Sequence, residues 1–259
     1  MKQHKVTGLS VLPVPNLPLF AAGDSIPEIL AKSLIESDIS LEDGDIIVVA
    51  QKIVSKVEGR TRNLSGIQPG PAALGAAAKS RKDPAIVELI VSQSQELMRV
   101  APGVIIARNN KGHVLANAGI DASNVAPGEH GSVLLWPEDP DASARALRDA
   151  LQVRFNVRLA VIISDSLGRA WRMGTMGTAI AVSGMKPLRD RRGEKDLFGR
   201  TLESTIIGVA DEIAAAASLV IGEGDEGTPA VIVRGAHYDT DDDACIADLI
   251  RPLEQDLFR

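Results

Sequence analysis

DPDASARALRDALQVRFNVRLAVIISDS, residues 139–166, is the stretch whose reading decides the fold. DPDASARALRDALQVRF reads as a capped helix. Arg158 to Ile163 reads as a buried strand that ends in the polar residues Ser164, Asp165 and Ser166. A rigid strand followed by polar groups at its carboxyl end is where α/β folds commonly place ligands, so Asp165 is a candidate site residue.

Working outward, a second β-branched run, IIVV within Asp45 to Ala50, follows the turn signal EDGD, and a further strand is expected over Lys5 to Pro13. Between them Ile26 to Glu36 has helical spacing. Pro71 to Val100 reads as helices, with Asp83 as a cap and Pro84 at the first helical position. Gly103 to Ala107 and His113 to Ala116 flank the turn NNKG as a hairpin. The connection Ala118 to Pro140 is rich in Gly, Pro, Asp, Ser and Asn yet encloses the apolar run SVLLW, which marks it as a functional loop rather than a linker. After a polar stretch from Lys186 to Glu203 come the helix ADEIAAAASLVI, an acidic glycine-rich loop, the strand AVIVRG and a tail holding DTDDDA and a short helix. No repeat of solenoid length is present. Local hairpins together with helix-linked strands define an α+β chain of mixed α/β architecture.

Composition narrows the classes. The 259 residues suffice for one large domain or two small lobes, with 45% hydrophobic and 24% charged residues. Aromatics at 3% leave little for stacking bases, and a net charge of −6 argues against a broadly basic nucleic-acid surface. One cysteine, Cys245, forms no internal disulfide; there is no secretory leader pattern and no run long enough to span a membrane. A cytoplasmic protein with neither nucleic-acid nor membrane partners is expected.

The most conspicuous local motif is Gly222-Glu-Gly224-Asp-Glu-Gly227, with the spacing G-x-G-x-x-G. A dinucleotide fingerprint follows a strand and opens a helix, whereas here a helix precedes and a strand follows, so that reading fails. Glycine backbone can still approach phosphate, and Glu223, Asp225 and Glu226 would repel it unless a cation stood between them. An isolated loop of this composition is otherwise a solvated turn. Asp121 and Asn124, in NAGIDASN, could serve one site or simply form an Asx turn. No Walker sequence occurs. Lys52 and Lys56 follow the strand IIVVA and could reach a phosphate, and Leu17, Pro18, Leu19 and Phe20 could wall a base or merely pack at an edge. Arg169, Arg172, Lys186, Arg189, Arg191, Arg192, Lys195 and Arg200 form a basic run that is either a solvated face or an anion receiver. The four histidines have no metal-ligand spacing, and Ser166 has no evident base to make it a nucleophile.

Taken in order, LPLF, AQKIVSK, NAGIDASN, VIISDSLGRAWR, GEKDLFGRTLE and VADEIAAAASLVIGEGDEGTPAVIVRG resemble the coenzyme F420-0:L-glutamate ligase family from about Val11 to Gly235. The resemblance implies GTP-dependent addition of L-glutamate to the lactyl carboxylate of coenzyme F420-0, with further γ-linked glutamates as an option, through an acyl phosphate. It also implies two divalent ions, Mg2+ or Mn2+, with K+ as an additional candidate, and an intertwined, two-lobed homodimer. By that resemblance Asp121, Asp165, Ser166 and Glu223 match metal positions, with Asp121, Asp165 and Glu223 carrying the chemistry. Leu17, Pro18, Leu19, Phe20, Gln51, Lys52, Lys56, Asn124 and the loop Ile221, Gly222, Glu223, Gly224, Asp225, Glu226, Gly227 and Thr228 match GTP-binding segments. Two departures stand out: Gln51 and Lys52 occupy a place where some members have small hydroxyl residues, and Ser166 replaces threonine while keeping the hydroxyl. Actinobacterial relatives append a nitroreductase-like domain that has no counterpart in residues 1–259, so a single ligase unit is expected. A related amide ligase with another acceptor and a non-catalytic deazaflavin- or nucleotide-binding protein stay open as alternatives.

Overall fold

The computed structural model describes residues 8–123 and 131–257. In chain order the elements are β1 (Ser10–Pro13), α1 (Ile26–Glu36), β2 (Ile46–Ala50), α2 (Gln51–Val57), β3 (Thr61–Asn63), α3 (Pro71–Ser80), α4 (Pro84–Ser92), β4 (Ser94–Ala101), β5 (Val104–Asn109), β6 (Val114–Ala116), β7 (Ser132–Leu134), α5 (Pro140–Phe155), β8 (Ala160–Gly168), β9 (Thr175–Ser183), β10 (Arg189–Asp190), β11 (Ile206–Ile207), α6 (Val209–Ile221) and β12 (Ala230–Arg234).

The two apolar runs singled out in the sequence lie side by side at the centre of a five-stranded sheet ordered β1-β12-β2-β8-β9. β2 and β8 are parallel, from Ile46 opposite Ala160 to Ala50 opposite Ser164. The other neighbours in this sheet are antiparallel. Alternate side chains feed two cores. Ile47, Val49, Val161 and Ile163 pack with Leu30 and Leu34 of α1 and Leu147 and Leu151 of α5. Ile46, Val48, Ala160 and Ile162 pack with Val209, Ile213 and Ala217 of α6. Strands covered on both faces need unbroken apolar runs, and IIVV and AVII supply them.

A separate three-stranded sheet, β4-β5-β6, carries α3 and α4 over a core that includes Ala73, Ala77, Val87, Ile90, Ile105 and Ala107. The expected hairpin around NNKG is its β5–β6 pair, and the architecture is α+β with several sheets. Asp83 caps α4 as expected, its Oδ1 accepting from Ala85 N at 2.7 Å. The helical reading of Pro71 to Val100 is corrected at its end. Helix α4 stops at Ser92, and Ser94 to Ala101 is a strand. Gln93 N still bonds the Leu89 carbonyl at 3.0 Å, but Ser94 Oγ donates to the Ile90 carbonyl at 2.6 Å, the acceptor that Ser94 N would use in a continuing helix. The segment then pairs with β5 through two register shifts, long-range bonding that outweighs its local propensity.

Within the Ala118 to Pro140 connection, Ser132 to Trp136 are all buried, and β7 pairs with β3. The strand expected over Lys5 to Pro13 begins at Ser10, with Gly8 and Leu9 outside it; residues 5–7 lie outside the described set. Among the described residues no helix is long and apolar enough to cross a membrane.

Helix α6 packs directly on β9 at Gly177, where a built Cβ would clash with the Ala214 carbonyl oxygen and stand 2.7 Å from Ser218 Cβ. Backbone cannot yield as a flexible side chain can. Gly177→Ala is therefore expected to lower stability by about 1–3 kcal/mol, the usual cost of overpacking, as read from urea unfolding midpoints with an unchanged slope.

Candidate functional site

Register brings distant segments to one sheet edge. β2 and β8 are parallel with Ala50 opposite Ser164; β2 stops there, while β8 runs beyond the expected end at Ile163, pairing with β9 as far as Gly168, so Gln51 and Lys52 open α2 beside Asp165 and Ser166. β12 runs the other way, Ala230 opposite Val49, so the loop before it ends at the same edge; Ala50 N donates to the Pro229 carbonyl at 2.8 Å. β1 leaves by the same route, with Val14 N bonded to the Ala230 carbonyl at 3.0 Å, and carries Leu17 to Phe20 past it. Asp121 is held by a reciprocal pair of backbone bonds with Leu134, at 3.0 and 2.7 Å.

At this edge Lys52 Nζ lies 2.5 Å from Asp121 Oδ2. Burial pushes the Lys52 ammonium down, but the Asp121 hydrogen bond and the charges of Asp121, Asp165 and Glu223 outweigh it and leave the pKa above the usual lysine value. Asp121 shows the reciprocal balance: burial pushes it up, while Lys52 and the Ser123 amide bring it below the usual carboxylate value. Asp165 accepts from Trp136 Nε1 at 2.8 Å and from the Ser166 amide at 2.8 Å. Those bonds and Lys52 only partly offset burial, and the neighbouring Asp121 charge adds to it, so Asp165 is pushed up to about 6. The Ser166 hydroxyl donates to Glu223 Oε1.

The indole of Trp136 is a part of the site that sequence reasoning missed. It is buried, and His113 meets it edge-on with ring centroids 5.2 Å apart. Burial pushes the His113 imidazole down to about 4, so it packs there uncharged. Asn117, Ala118 and Gly119 lie against this region in the left-handed region, at φ 53°, 54° and 81°. A Cβ at Gly119 would stand 2.4 Å from Trp136 Nε1, the atom that bonds Asp165. Three consecutive left-handed residues, two of them with side chains, are strain of the kind that positions functional groups, and they lead directly into Asp121. The available signal was the apolar SVLLW inside an otherwise polar connection.

Other expected site residues divide into three groups. Leu17 packs against the main core and Phe20 belongs to it, whereas Leu19 is 91% exposed. Pro18 is also exposed, so Pro18 and Leu19 are the pair open to a ligand. Gln51 is buried, its Nε2 donating to Ser55 Oγ at 2.6 Å while its Oε1 finds no partner among the described residues. Lys56 lies one turn beyond Lys52 on α2 and is half-buried. In the glycine-rich loop, Ile221 ends α6, Gly222 has φ 74°, and Glu223, Gly224, Asp225, Glu226 and Gly227 are exposed, with Thr228 half-buried. Glu226 turns back on this loop, accepting from Gly224 N at 2.7 Å, and the loop amides hold its carboxyl below the usual range. Asn124 lies outside the described residues. Part of the basic run pairs within itself: Arg191 with Glu194 at 2.7 Å and Arg192 with Asp190 at 2.5 Å.

Among the described residues no three His, Cys, Asp or Glu side chains stand together as a ready ligand set for a metal. The donor chemistry nevertheless fits a hard divalent cation. Asp121, Asp165, Ser166 and Glu223 offer oxygen only, and Asp165 is an incompletely compensated carboxyl whose ionised form a nearby cation would favour. Three carboxylates face one ammonium here, a local excess of anion.

The family model described as F420-0:Gamma-glutamyl ligase matches residues 16–235. The chain is 47% identical to the coenzyme F420:L-glutamate ligase of Methanothermobacter thermautotrophicus, over 97% of this chain and 99% of that protein. It is 42% identical to the coenzyme F420:L-glutamate ligase of Methanocaldococcus jannaschii, over 94% of each chain, and 42% identical to that of Archaeoglobus fulgidus, over 97% of this chain and 96% of that one.

The Asp165 environment sets a stability profile. Its folded pKa of about 6 exceeds the usual 3.8, so ionising it costs folded-state stability. That cost is absent below about pH 4, grows as the pH rises and is complete above about pH 6, where it amounts to about 3 kcal/mol. Asp165→Asn keeps an acceptor for Trp136 without the charge. In metal-free protein it is expected to raise stability at pH 7.5 by up to that amount and to have little effect at pH 4, as read from denaturant unfolding at the two pH values.

Proposed function

The chain belongs to the F420-0:Gamma-glutamyl ligase family, and from that premise we propose that it joins L-glutamate to the lactyl carboxylate of coenzyme F420-0 at the expense of GTP. The observation that carries this reading is the convergence of Lys52, Asp121, Asp165, Ser166 and Glu223 at one sheet edge. An ammonium amid three carboxylates suits a site where phosphates and cations must both be held.

In this reading the substrate carboxylate oxygen attacks the γ-phosphorus, the bond to the β–γ bridging oxygen breaks, and GDP leaves. The glutamate amine then attacks the acyl carbon of the resulting acyl phosphate; the C–N bond forms, the C–O bond to phosphate breaks, and the amine proton passes to solvent. Asp121, Asp165, Ser166 and Glu223 would hold divalent cations, Mg2+ or Mn2+, whose contribution is charge neutralisation along the phosphates. Lys52, whose charge now meets Asp121, is the protein cation that can turn to an incoming phosphate. Glycine backbone from Gly222 to Gly227 allows close phosphate approach, and Glu226, seated on its own loop amides, must leave them if a phosphate is to take its place. Asp165, half-buried at this edge, is held in place by the Trp136 indole N–H and the Ser166 amide.

Incubation with F420-0, GTP, L-glutamate and Mn2+ should yield GDP and a product heavier by one glutamyl unit in the mass spectrum. Asp165→Asn is expected to reduce turnover at least a hundredfold while the protein stays folded. Glu223→Gln is expected to raise the metal concentration needed for half-maximal GTP binding. Folded wild-type protein that gives neither GDP nor product would refute the assignment.

The chain acts in this reading as one ligase unit in an intertwined, two-lobed homodimer. Trp171, Met173, Leu197 and Phe198 are each at least 89% exposed, an apolar set that a second copy would cover. Light scattering after size exclusion should give twice the monomer mass, and Phe198→Asp combined with Leu197→Asp should shift it toward one; a monomeric wild type at micromolar concentration would discard the dimer.

A further inference from the structure

A cavity of about 300 Å3 opens next to Trp136, on a side lined by Arg60, Gln93, Asn109, Lys111 and Glu138. These residues come from four separate stretches of chain, and none was a candidate site residue in the sequence, where Asn109 and Lys111 figured only in the turn NNKG. The cavity shares one wall with the carboxylate cluster, because Trp136 both lines it and donates its indole N–H to Asp165 at 2.8 Å.

Its chemistry is specific. Two cations, Arg60 and Lys111, and one carboxylate, Glu138, surround the space, with the carboxamides of Gln93 and Asn109 between them. An amino acid with two carboxylates and one ammonium is the charge complement of this set. The volume suits such a molecule and is too small for a nucleoside triphosphate or a tricyclic cofactor. Arg60 is also pre-positioned. Its Nε donates to the Trp136 carbonyl at 2.9 Å, while its Nη1 stands 3.8 Å from Glu138, beyond hydrogen-bond range, so the outer guanidinium is not committed to that partner. Asn109 is buried and uses its Oδ1 on the amides of Lys111 and His113, both at 3.0 Å, which fixes the turn that presents Lys111.

We propose that this cavity, which meets the carboxylate cluster at Trp136, is the amino-acid subsite, in which Arg60 and Lys111 bind the two carboxylates of L-glutamate and Glu138 its amino group. The proposal rests on the ligase reading for the identity of its ligand, but binding can be measured without turnover. Trp136 is one of two tryptophans, the other being the exposed Trp171. Trp171→Phe therefore assigns the Trp136 indole N–H resonance.

L-Glutamate titrated into full-length protein, with and without Mg2+ and a non-hydrolysable GTP analogue, should shift that resonance saturably. Lys111→Ala, at an exposed position, should weaken the binding about tenfold, Arg60→Gln should weaken it at least as much, and L-glutamine should bind wild type about tenfold more weakly than L-glutamate. In turnover, Lys111→Ala should raise the KM for L-glutamate by a similar factor and leave the KM for GTP unchanged. No saturable shift in wild type under either condition, or equal affinity in wild type and Lys111→Ala, would overturn the subsite. A saturable, Lys111-dependent shift in a protein without ligase turnover would support the subsite and refute the ligase reading instead.

Discussion

The parallel ladder between β2 and β8 is the constraint on which everything else depends. Ala50 opposite Ser164 is its last pair, and one residue beyond it on each strand the chain changes from apolar to functional: Gln51 and Lys52 on one side, Asp165 and Ser166 on the other. A slip of one residue would turn the β8 side chains to the opposite face, exchanging those that meet α5 for those that meet α6 and taking Asp165 from Trp136. The two cores thus protect the register, and the register protects the site. At the opposite end of the same strands the buried carboxylate of Asp45 takes two bonds from Arg234, at 2.8 and 2.7 Å, fastening β2 to β12 where no ligand chemistry is expected.

The site itself works against the fold that holds it. Three carboxylates around one ammonium, with Asp165 half-buried and its carboxyl pushed up by burial, are tolerated because two cores stabilise the sheet independently of them. The left-handed run Asn117 to Gly119 adds backbone strain at the same place. Such a concentration of unfavourable choices in an otherwise consistent chain is the pattern expected where function rather than stability governs residue identity.

Much of this was legible before any coordinates. Strands buried on both faces announce themselves as unbroken β-branched runs, and the polar residues after Ile163 lie where Lys52, Asp121 and Glu223 also converge. Helix α1 covers the expected Ile26 to Glu36, and Asp83 and Pro84 start α4 as their cap chemistry dictates. Failures came where the deciding partner is remote. Ser94 to Ala101 looks helical in isolation and becomes a strand because β5 offers it a ladder, and the indole of Trp136 matters because of Asp165, 29 residues away. Arg60 and Lys111 carry no local signature, since a cavity lined from several segments exists only after folding. The acidic glycine-rich loop was ambiguous for another reason: its amides can serve a phosphate or its own Glu226, and nothing in the residue order chooses between them.

The distance in sequence between the site's parts has a thermodynamic consequence. Lys52, Asp121, Asp165 and Glu223 are brought together only by the completed sheet and the β3–β7 pair, with no local unit that holds even two of the carboxylates. A ligand that engages several of them therefore recognises the whole native state, and its binding free energy adds to the cooperative unfolding of the chain rather than to the ordering of one loop. At a ligand concentration a hundred times Kd that addition is about 2.7 kcal/mol, enough to shift the melting of the entire molecule.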